Sequence, residues 1–188
     1  MVLSKLAQEV SSALVATIKG TDDVLAALRS AVKNQLTGAL KDVTDMATAG
    51  MEAVTDVAKG SISAASQLGA SLTDAGKETV TSLLSGVSEV GGDVLSAVSK
   101  ITRGAVMGAA EVGGDVGMVA VSVVEGVVSQ ASSFGLDVTQ ATKEAILGVV
   151  KGADEVSDEV GKNVRDALLS AASLPRDIVE KVVKGSET

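Results

Sequence analysis

The hexapeptide EVGGDV occurs twice in this chain of 188 residues, at Glu89–Val94 and again at Glu111–Val116, 22 residues later. When the spacing of 22 is extended from Glu89 in both directions, the residue after each position is apolar throughout the chain. These apolar residues are Val2, Val24, Met46, Leu68, Val90, Val112, Phe134, Val156 and Ile178. An internal repeat determines which structural unit is stacked, so this period constrains the fold more than any single motif does.

Within each repeat the apolar residues follow helical spacing. From Val90 they continue in steps of three or four residues through Val94, Val98 and Ile101, whereas a strand would need strict alternation. Half of the period, 11 residues, corresponds to three turns at about 3.67 residues per turn, which favours nearly straight helices or a right-handed supercoil. We therefore expect an all-α fold of long amphipathic helices with 11- and 22-residue repeats, packed side by side in an assembly. A parallel β-helix with one 22-residue coil per repeat is the alternative.

Few residues interrupt this pattern, which favours long helices over many short ones. We expect one repetitive amphipathic helical region over residues 1–174, with candidate bends near residues 20–23 and 132–135, where the sequences KGTDD and SSFGLD occur. The only proline, Pro175, is predicted to begin a short C-terminal helix and tail over residues 175–188, because proline is favoured in the first turn of a helix.

Glycine alternates with larger side chains in one of the apolar columns. The glycines of this column are Gly69, Gly91, Gly113 and Gly135. Because glycine inside a helix costs about 1 kcal/mol relative to alanine, we predict that they form a helix-packing notch that receives a neighbour's side chain; simple tolerance of glycine is the alternative. The packing face expected beside the notch consists of Val90, Val94, Val98, Val112, Val116, Val123, Val127, Phe134 and Val138. Gly104, Gly126 and Gly148 are placed on the polar flank, where alanine should be neutral or stabilising.

The composition argues against most chemical functions. The chain has no His and no Cys, which leaves no imidazole base and no thiolate ligand, and we predict no catalytic residue, no cofactor and no metal site. Carboxylates four residues apart, such as Glu89 with Asp93 and Glu111 with Asp115, are interpreted as a solvated acidic stripe on one helix face; cation binding through oxygen ligands is the alternative. The net charge of -8 argues against nucleic acid as a partner.

Hydrophobicity and aromatic content point in different directions. Phe134 is the only aromatic residue, which disfavours an ordinary compact core, yet the apolar content of 46% exceeds what a disordered chain has. Lys5 and Glu9 interrupt the first apolar stretch, so we identify no signal peptide. We also identify no membrane-spanning segment and take the cytoplasm as the default location.

Two longer segments resemble known repeat proteins. The sequences EVGGDVLSAVSKITRGAVMGAA and VVEGVVSQASSFGLDVTQATKEAILGVV resemble the 11-residue amphipathic repeats of perilipins and synucleins and, more distantly, those of exchangeable apolipoproteins. The resemblance is one of pattern and extends over most of the chain. It implies long helices that reversibly coat lipid surfaces.

These observations lead to three functional hypotheses. We expect a non-enzymatic structural protein whose partner is itself and which self-assembles through Val/Ala/Gly helix faces into a filament, tube or bundle, because small side chains let helices approach closely. The first alternative is an amphipathic-helix coat protein of a lipid droplet, vesicle or storage granule. The second alternative is a stress-protective helix that folds on drying.

Overall fold

The computed structural model describes residues 2–18, 23–41 and 49–185. Within these ranges the chain is all-helical, with nine α-helices packed side by side and no strand. The helices are α1 Val2–Ile18, α2 Val24–Lys41, α3 Met51–Gln67, α4 Leu72–Glu89, α5 Val94–Glu111, α6 Val116–Gln130, α7 Val138–Val156, α8 Asp158–Ser170 and α9 Arg176–Gly185, with a 3-10 turn at Ala131–Phe134 between α6 and α7. Because the longest of these helices has 19 residues, the expectation of long continuous helices is wrong.

The 22-residue period corresponds to one helix plus one turn. Helix α5 has 18 residues, and the four residues from 90 to 93 join it to α4. In EVGGDV, Glu89 ends one helix, Gly91 has a left-handed φ of 72°, and Asp93 caps the next helix by accepting a hydrogen bond from the Ser96 N–H at 3.1 Å. Glycine is favoured directly after a helix and aspartate directly before one. The repeated hexapeptide is therefore a repeated helix–turn–helix connection.

Alternate helices lie in the same layer. Helices α1, α3, α5 and α7 contact one another in that order, and α2, α4, α6 and α8 do the same; we call these the odd layer and the even layer. Gly104 and Gly108 of α5 face Thr55 and Lys59 of α3, so α3 and α5 run parallel. Since α4 connects the end of α3 to the start of α5, it must run in the opposite direction. The result is a two-layer array in which helices α1 to α7 pack mainly against the helix two places away in the chain, so that contacts are made between nearby repeats.

The core lies between the two layers and consists almost entirely of Ala, Val, Leu and Ile. Of the predicted packing face, Val98, Val123 and Val127 are fully buried. Five other members lie at helix ends and are partly buried against the core: Val90, Val94, Val116, Phe134 and Val138. Val112 is also partly buried. A core without aromatic residues is sufficient here because chain reversals let the helices of one chain cover each other's apolar faces. The expectation that composition disfavours a compact chain is therefore wrong.

Only some of the residues expected to form the bends and the C-terminal tail belong to the described part of the chain. Residues 19–22, which include most of the first candidate bend, lie outside the described residues. Asp23 accepts a hydrogen bond from the Ala26 N–H at 3.0 Å, at the start of α2. Residues 132–135 lie in the 3-10 turn and at Gly135, whose φ is 69°. In the C-terminal segment the described helix is α9, and residues 186–188 lie outside the described residues.

Candidate functional site

The four predicted notch glycines lie in turns instead of helix interiors. Their φ angles are 71° at Gly69, 72° at Gly91, 68° at Gly113 and 69° at Gly135. If a Cβ were added to any of these glycines, no heavy atom of the described residues, apart from the glycine and its two chain neighbours, would lie within 4 Å of it. The prediction that these glycines form a notch inside helices is therefore wrong: each has a left-handed backbone, which L-residues rarely adopt. Contact with a side chain of a second chain stays a prediction.

The turn hydrogen bonds give the physical reason. In the turn after α4, the Gly91 N–H donates to the Ser88 carbonyl at 3.1 Å and the Gly92 N–H donates to the Val87 carbonyl at 2.9 Å. The same pair of bonds recurs after α3, after α5 and after the 3-10 turn. This is the Schellman arrangement, which satisfies carbonyl groups that would otherwise be unpaired at a helix C-terminus.

Close helix approach occurs at a different set of glycines. These are Gly60 in α3, Gly104 and Gly108 in α5, and Gly148 and Gly152 in α7. A Cβ on Gly108 would lie 2.7 Å from the Lys59 carbonyl oxygen, and one on Gly152 would lie 2.8 Å from the Arg103 carbonyl oxygen. At Gly104 and Gly148 the clash would be closer still, with the Thr55 and Ser99 carbonyl oxygens. The placement of Gly104, Gly126 and Gly148 on a polar flank is therefore wrong, because all three are buried, Gly104 and Gly148 between helices of the odd layer.

The spacing of glycines in the sequence could have predicted these close contacts between helices. Gly104 and Gly108 are four residues apart, and the same pair recurs 44 residues later as Gly148 and Gly152. Two periods of 22 separate alternate helices, so residues 44 apart occupy equivalent positions in the same layer. This spacing would have identified the contact glycines, whereas glycines repeated at 22 occur once in every turn.

Polar side chains also connect alternate helices inside the array. The Thr102 hydroxyl donates to the Ala145 carbonyl at 3.2 Å, linking α5 to α7. The Gln67 amide donates to the Ser11 hydroxyl at 3.1 Å, linking α3 to α1, and the Ser122 hydroxyl of α6 donates to the Thr73 carbonyl next to the start of α4. Since such bonds need specific atoms to meet, they fix the register of neighbouring helices.

The ion pairs that join alternate helices in the described part of the chain share one direction, since each joins a basic residue to an acidic residue two helices later. The pairs are Arg29–Glu78 at 2.5 Å, Lys33–Glu89 at 2.5 Å, Lys59–Glu111 at 2.9 Å, Lys77–Glu125 at 2.8 Å and Arg103–Glu155 at 2.6 Å. Exposed pairs of this kind contribute about 0–1 kcal/mol each, so their main effect is on register.

The predicted acidic stripes are consequently divided between two roles. Glu89 and Glu111 end helices and pair with Lys33 and Lys59, whereas Asp93 and Asp115 cap the helices that follow. A turn separates the members of each pair, so they do not share one helix face. Hydrogen bonds from the Ser96 hydroxyl and backbone N–H lower the pKa of Asp93, which keeps this cap charged. Among the described residues, no group of three or more His, Cys, Asp and Glu is arranged to hold a metal ion.

The even layer carries a groove between α4, α6 and α8. Its volume is about 470 Å³, and Met118, Val121 and Ala167 contribute to its lining. Met118 is 59% exposed, the largest value among the large apolar side chains that are exposed in the described part of the chain. Hydrogen bonds from Lys77 and then Ser173 lower the pKa of Glu125 at the rim. The arrangement offers an apolar floor with a charged border and is suited to contact with an apolar surface.

One described segment, Val116–Phe134, is long and apolar enough by composition to cross a membrane, and half of its most apolar window is buried inside the fold. From the sequence we expected no such segment. A core helix meets the same criterion, and the burial of this segment agrees with the position of α6 in the array.

The outer edge of α1 is the last feature of the odd layer. Gly60 of α3 contacts Ala7 and Val10 of α1 in the same way that Gly104 of α5 contacts Thr55 and Ala58 of α3. Ala7 and Val10 are therefore the α1 equivalents of Thr55 and Ala58, and equivalent positions in α1 and α3 are 48 residues apart. The positions equivalent to Gly60 and Ala64 are therefore Ser12 and Ala16, and both are exposed.

Comparison with known proteins provides no relative for any of these features, since no family model, curated protein or solved structure matches this chain.

Proposed function

We propose that this protein is a non-enzymatic structural protein that self-associates through the outer edge of α1. The observation that carries the proposal is the equivalence of Ser12 and Ala16 to residues that contact a neighbouring helix elsewhere in the odd layer. Gly60, Gly104 and Gly148 are each covered by the preceding odd helix. Within the described residues, Ser12 and Ala16 are exposed, so the surface that this layer uses for packing is open at α1.

The partner that fits this edge best is a second copy of the chain, which contacts it through the same edge of its own α1. At the other end of the odd layer, α9 packs against α7 and presents Arg176, Asp177 and Lys181 to solvent. Polar terminal helices of this kind close helical arrays and keep them from growing. An association of α1 with α1 is isologous and gives a closed two-fold dimer, whereas a filament would also require α9 to leave α7.

We expect the parent protein to sediment as a dimer and the variant Ala16→Arg to sediment as a monomer with unchanged helix content. A large charged side chain at a close helix contact both overpacks the contact and buries an unpaired charge. Sedimentation velocity over a range of concentrations, with circular dichroism on the same samples, measures both quantities. The matched control is Ala172→Arg, at an exposed alanine far from α1 in the chain, which should leave the dimer intact. A parent protein that remains monomeric throughout would refute the proposal.

A lipid-surface coat is the second candidate, and the groove on the even layer favours it. Met118 and Leu169 are 59% and 38% exposed, and they lie beside adjoining surface depressions that share Ser170 and Ala171. If this face inserts into a lipid surface, Met118→Glu should abolish flotation with vesicles. Leu147→Glu is the control, because Leu147 is 43% exposed and lies on the odd layer. Equal flotation of both variants and the parent would count against this face, and no flotation of the parent would remove the coat function.

A further inference from the structure

Asp56 is a buried carboxylate that the array does not neutralise. It lies in α3 with 6% of its surface exposed, and its Oδ2 atom has no hydrogen-bond partner among the described residues. The residue before it, Thr55, presents its carbonyl oxygen to Gly104 of α5. The carboxylate is therefore next in sequence to a close contact between α3 and α5, and its own burial makes a charge without a partner costly.

Two cations lie near Asp56, and both are paired with other carboxylates. The Lys59 ammonium is 2.9 Å from Oε1 of Glu111, and the Arg103 guanidinium is 2.6 Å from Oε2 of Glu155. Both cations favour the charged form of Asp56, and Glu52, on the same helix, opposes it. The array thus directs the cations of this region toward glutamates at its border and leaves the buried aspartate without an ion pair.

The N-terminal amino group of the chain also favours the charged form of Asp56, whereas the charged side chains of α1, α2 and α4 within the described residues do not shift its pKa. On α1, Lys5 and Glu9 are exposed. Five charged residues of α2 and α4 are paired with each other or with α6, through the contacts Arg29–Glu78, Lys33–Glu89 and Lys77–Glu125. The environment of Asp56 is therefore set mainly by burial and by the two engaged cations of α3 and α5.

We propose that Asp56 is a proton-operated switch, whose protonated form tightens the packing of α3 in the odd layer and whose charged form loosens it. As a neutral acid, Asp56 can remain buried at a lower cost than as an anion. As an anion, it must gain water or draw Lys59 or Arg103 away from the glutamate that holds it. The switch concerns the fold of a single chain and is independent of self-association.

The expected direction of the pH dependence follows from burial. Burial raises the pKa of Asp56 from 3.8 to about 6, so the folded chain holds this proton more tightly than the unfolded chain does. The stabilising contribution is fully present below about pH 4, is lost as the pH rises toward 6, and is absent above that. A difference of about two pKa units, at tenfold per unit, corresponds to about a 100-fold fall in the folding equilibrium constant.

The test compares urea unfolding of the parent and of Asp56→Asn from about pH 4 to pH 8, together with direct titration of the Asp56 carboxyl carbon by NMR. We expect the variant to match the parent at the acidic end and to exceed its folding equilibrium constant by about 100-fold at neutral pH. The ratio between the two proteins removes the contribution of all other carboxylates. A ratio that does not change with pH, or a carboxyl that titrates at the ordinary value for aspartate, would overturn the proposal.

A second pair of variants tests the role of the engaged cations. Glu111→Gln frees Lys59 and should move the titration midpoint of Asp56 to lower pH, because an available cation favours the carboxylate. Glu89→Gln is the matched control, since it frees Lys33 at the equivalent helix end in the even layer and should leave the midpoint unchanged. An Asp56 midpoint that stays fixed in Glu111→Gln, or that moves equally in both variants, would show that competition for Lys59 does not operate the switch.

Discussion

Replacing Gly104 and Gly148 together by alanine should lower the free energy of unfolding by about 2–4 kcal/mol. Overpacking costs about 1–3 kcal/mol at each site, and the better helix propensity of alanine returns up to about 1 kcal/mol at each. The cost should be near the upper end here, because the new methyl groups would meet the backbone carbonyls of Thr55 and Ser99. Relief therefore requires a shift of whole helices. Equilibrium unfolding in urea, followed by circular dichroism, measures the difference.

Gly126→Ala is the matched control for this experiment. Gly126 is also buried in a helix interior, but its added Cβ would lie 3.5 Å from the nearest atoms, which is ordinary contact. We expect this variant to be neutral or more stable by up to about 1 kcal/mol. If the double variant were as stable as Gly126→Ala, the odd layer would not be as closely packed as its glycines indicate.

Replacing Gly91 and Gly113 together by leucine should also destabilise the chain, by about 2–4 kcal/mol, but for a different reason. Both glycines have φ near 70°, and an L-residue in this left-handed region costs roughly 1–2 kcal/mol. Nothing lies within 4 Å of the added Cβ atoms among the described residues, so the loss should come from backbone strain alone. The same unfolding measurement detects it.

Asparagine at the same two positions separates backbone strain from side-chain crowding. It tolerates the left-handed conformation better than leucine does, so the Asn pair should recover most of the lost stability. Sedimentation of the leucine pair should match that of the parent, since the replaced glycines lie in turns outside α1. Leucine variants as stable as the parent would mean that these turns do not need a left-handed residue.

The sequence could predict an all-helical chain but could not readily reveal where its helices end. A helix of 18 residues and a turn of four fill one period of 22, which is also six helical turns at about 3.67 residues per turn. A turn thus takes up nearly as many residues as one more turn of helix, and the apolar columns stay in register across it. Only the local order of Gly91 and Asp93, with glycine after a helix and aspartate before one, distinguishes a reversal from continuation.

The roles of individual glycines depended on which helices become neighbours. Gly104 and Gly113 have the same side chain, but one meets the backbone of α3 and the other terminates α5 in open space. Periodicity places residues on a helix face, yet it cannot state which other helix covers that face. That choice arises when the chain reverses at each turn and brings positions 44 residues apart side by side.

The sequence by itself determined the helical spacing, the 22-residue unit and the absence of His and Cys, because these are properties of local order and residue type. Tertiary structure alone decided that the apolar faces are buried within one chain, that Lys59 and Arg103 pair with border glutamates, and that Asp56 is left buried without an ion pair. Burial and charge pairing depend on distances between segments far apart in the chain, and these distances exist only once the two layers have formed.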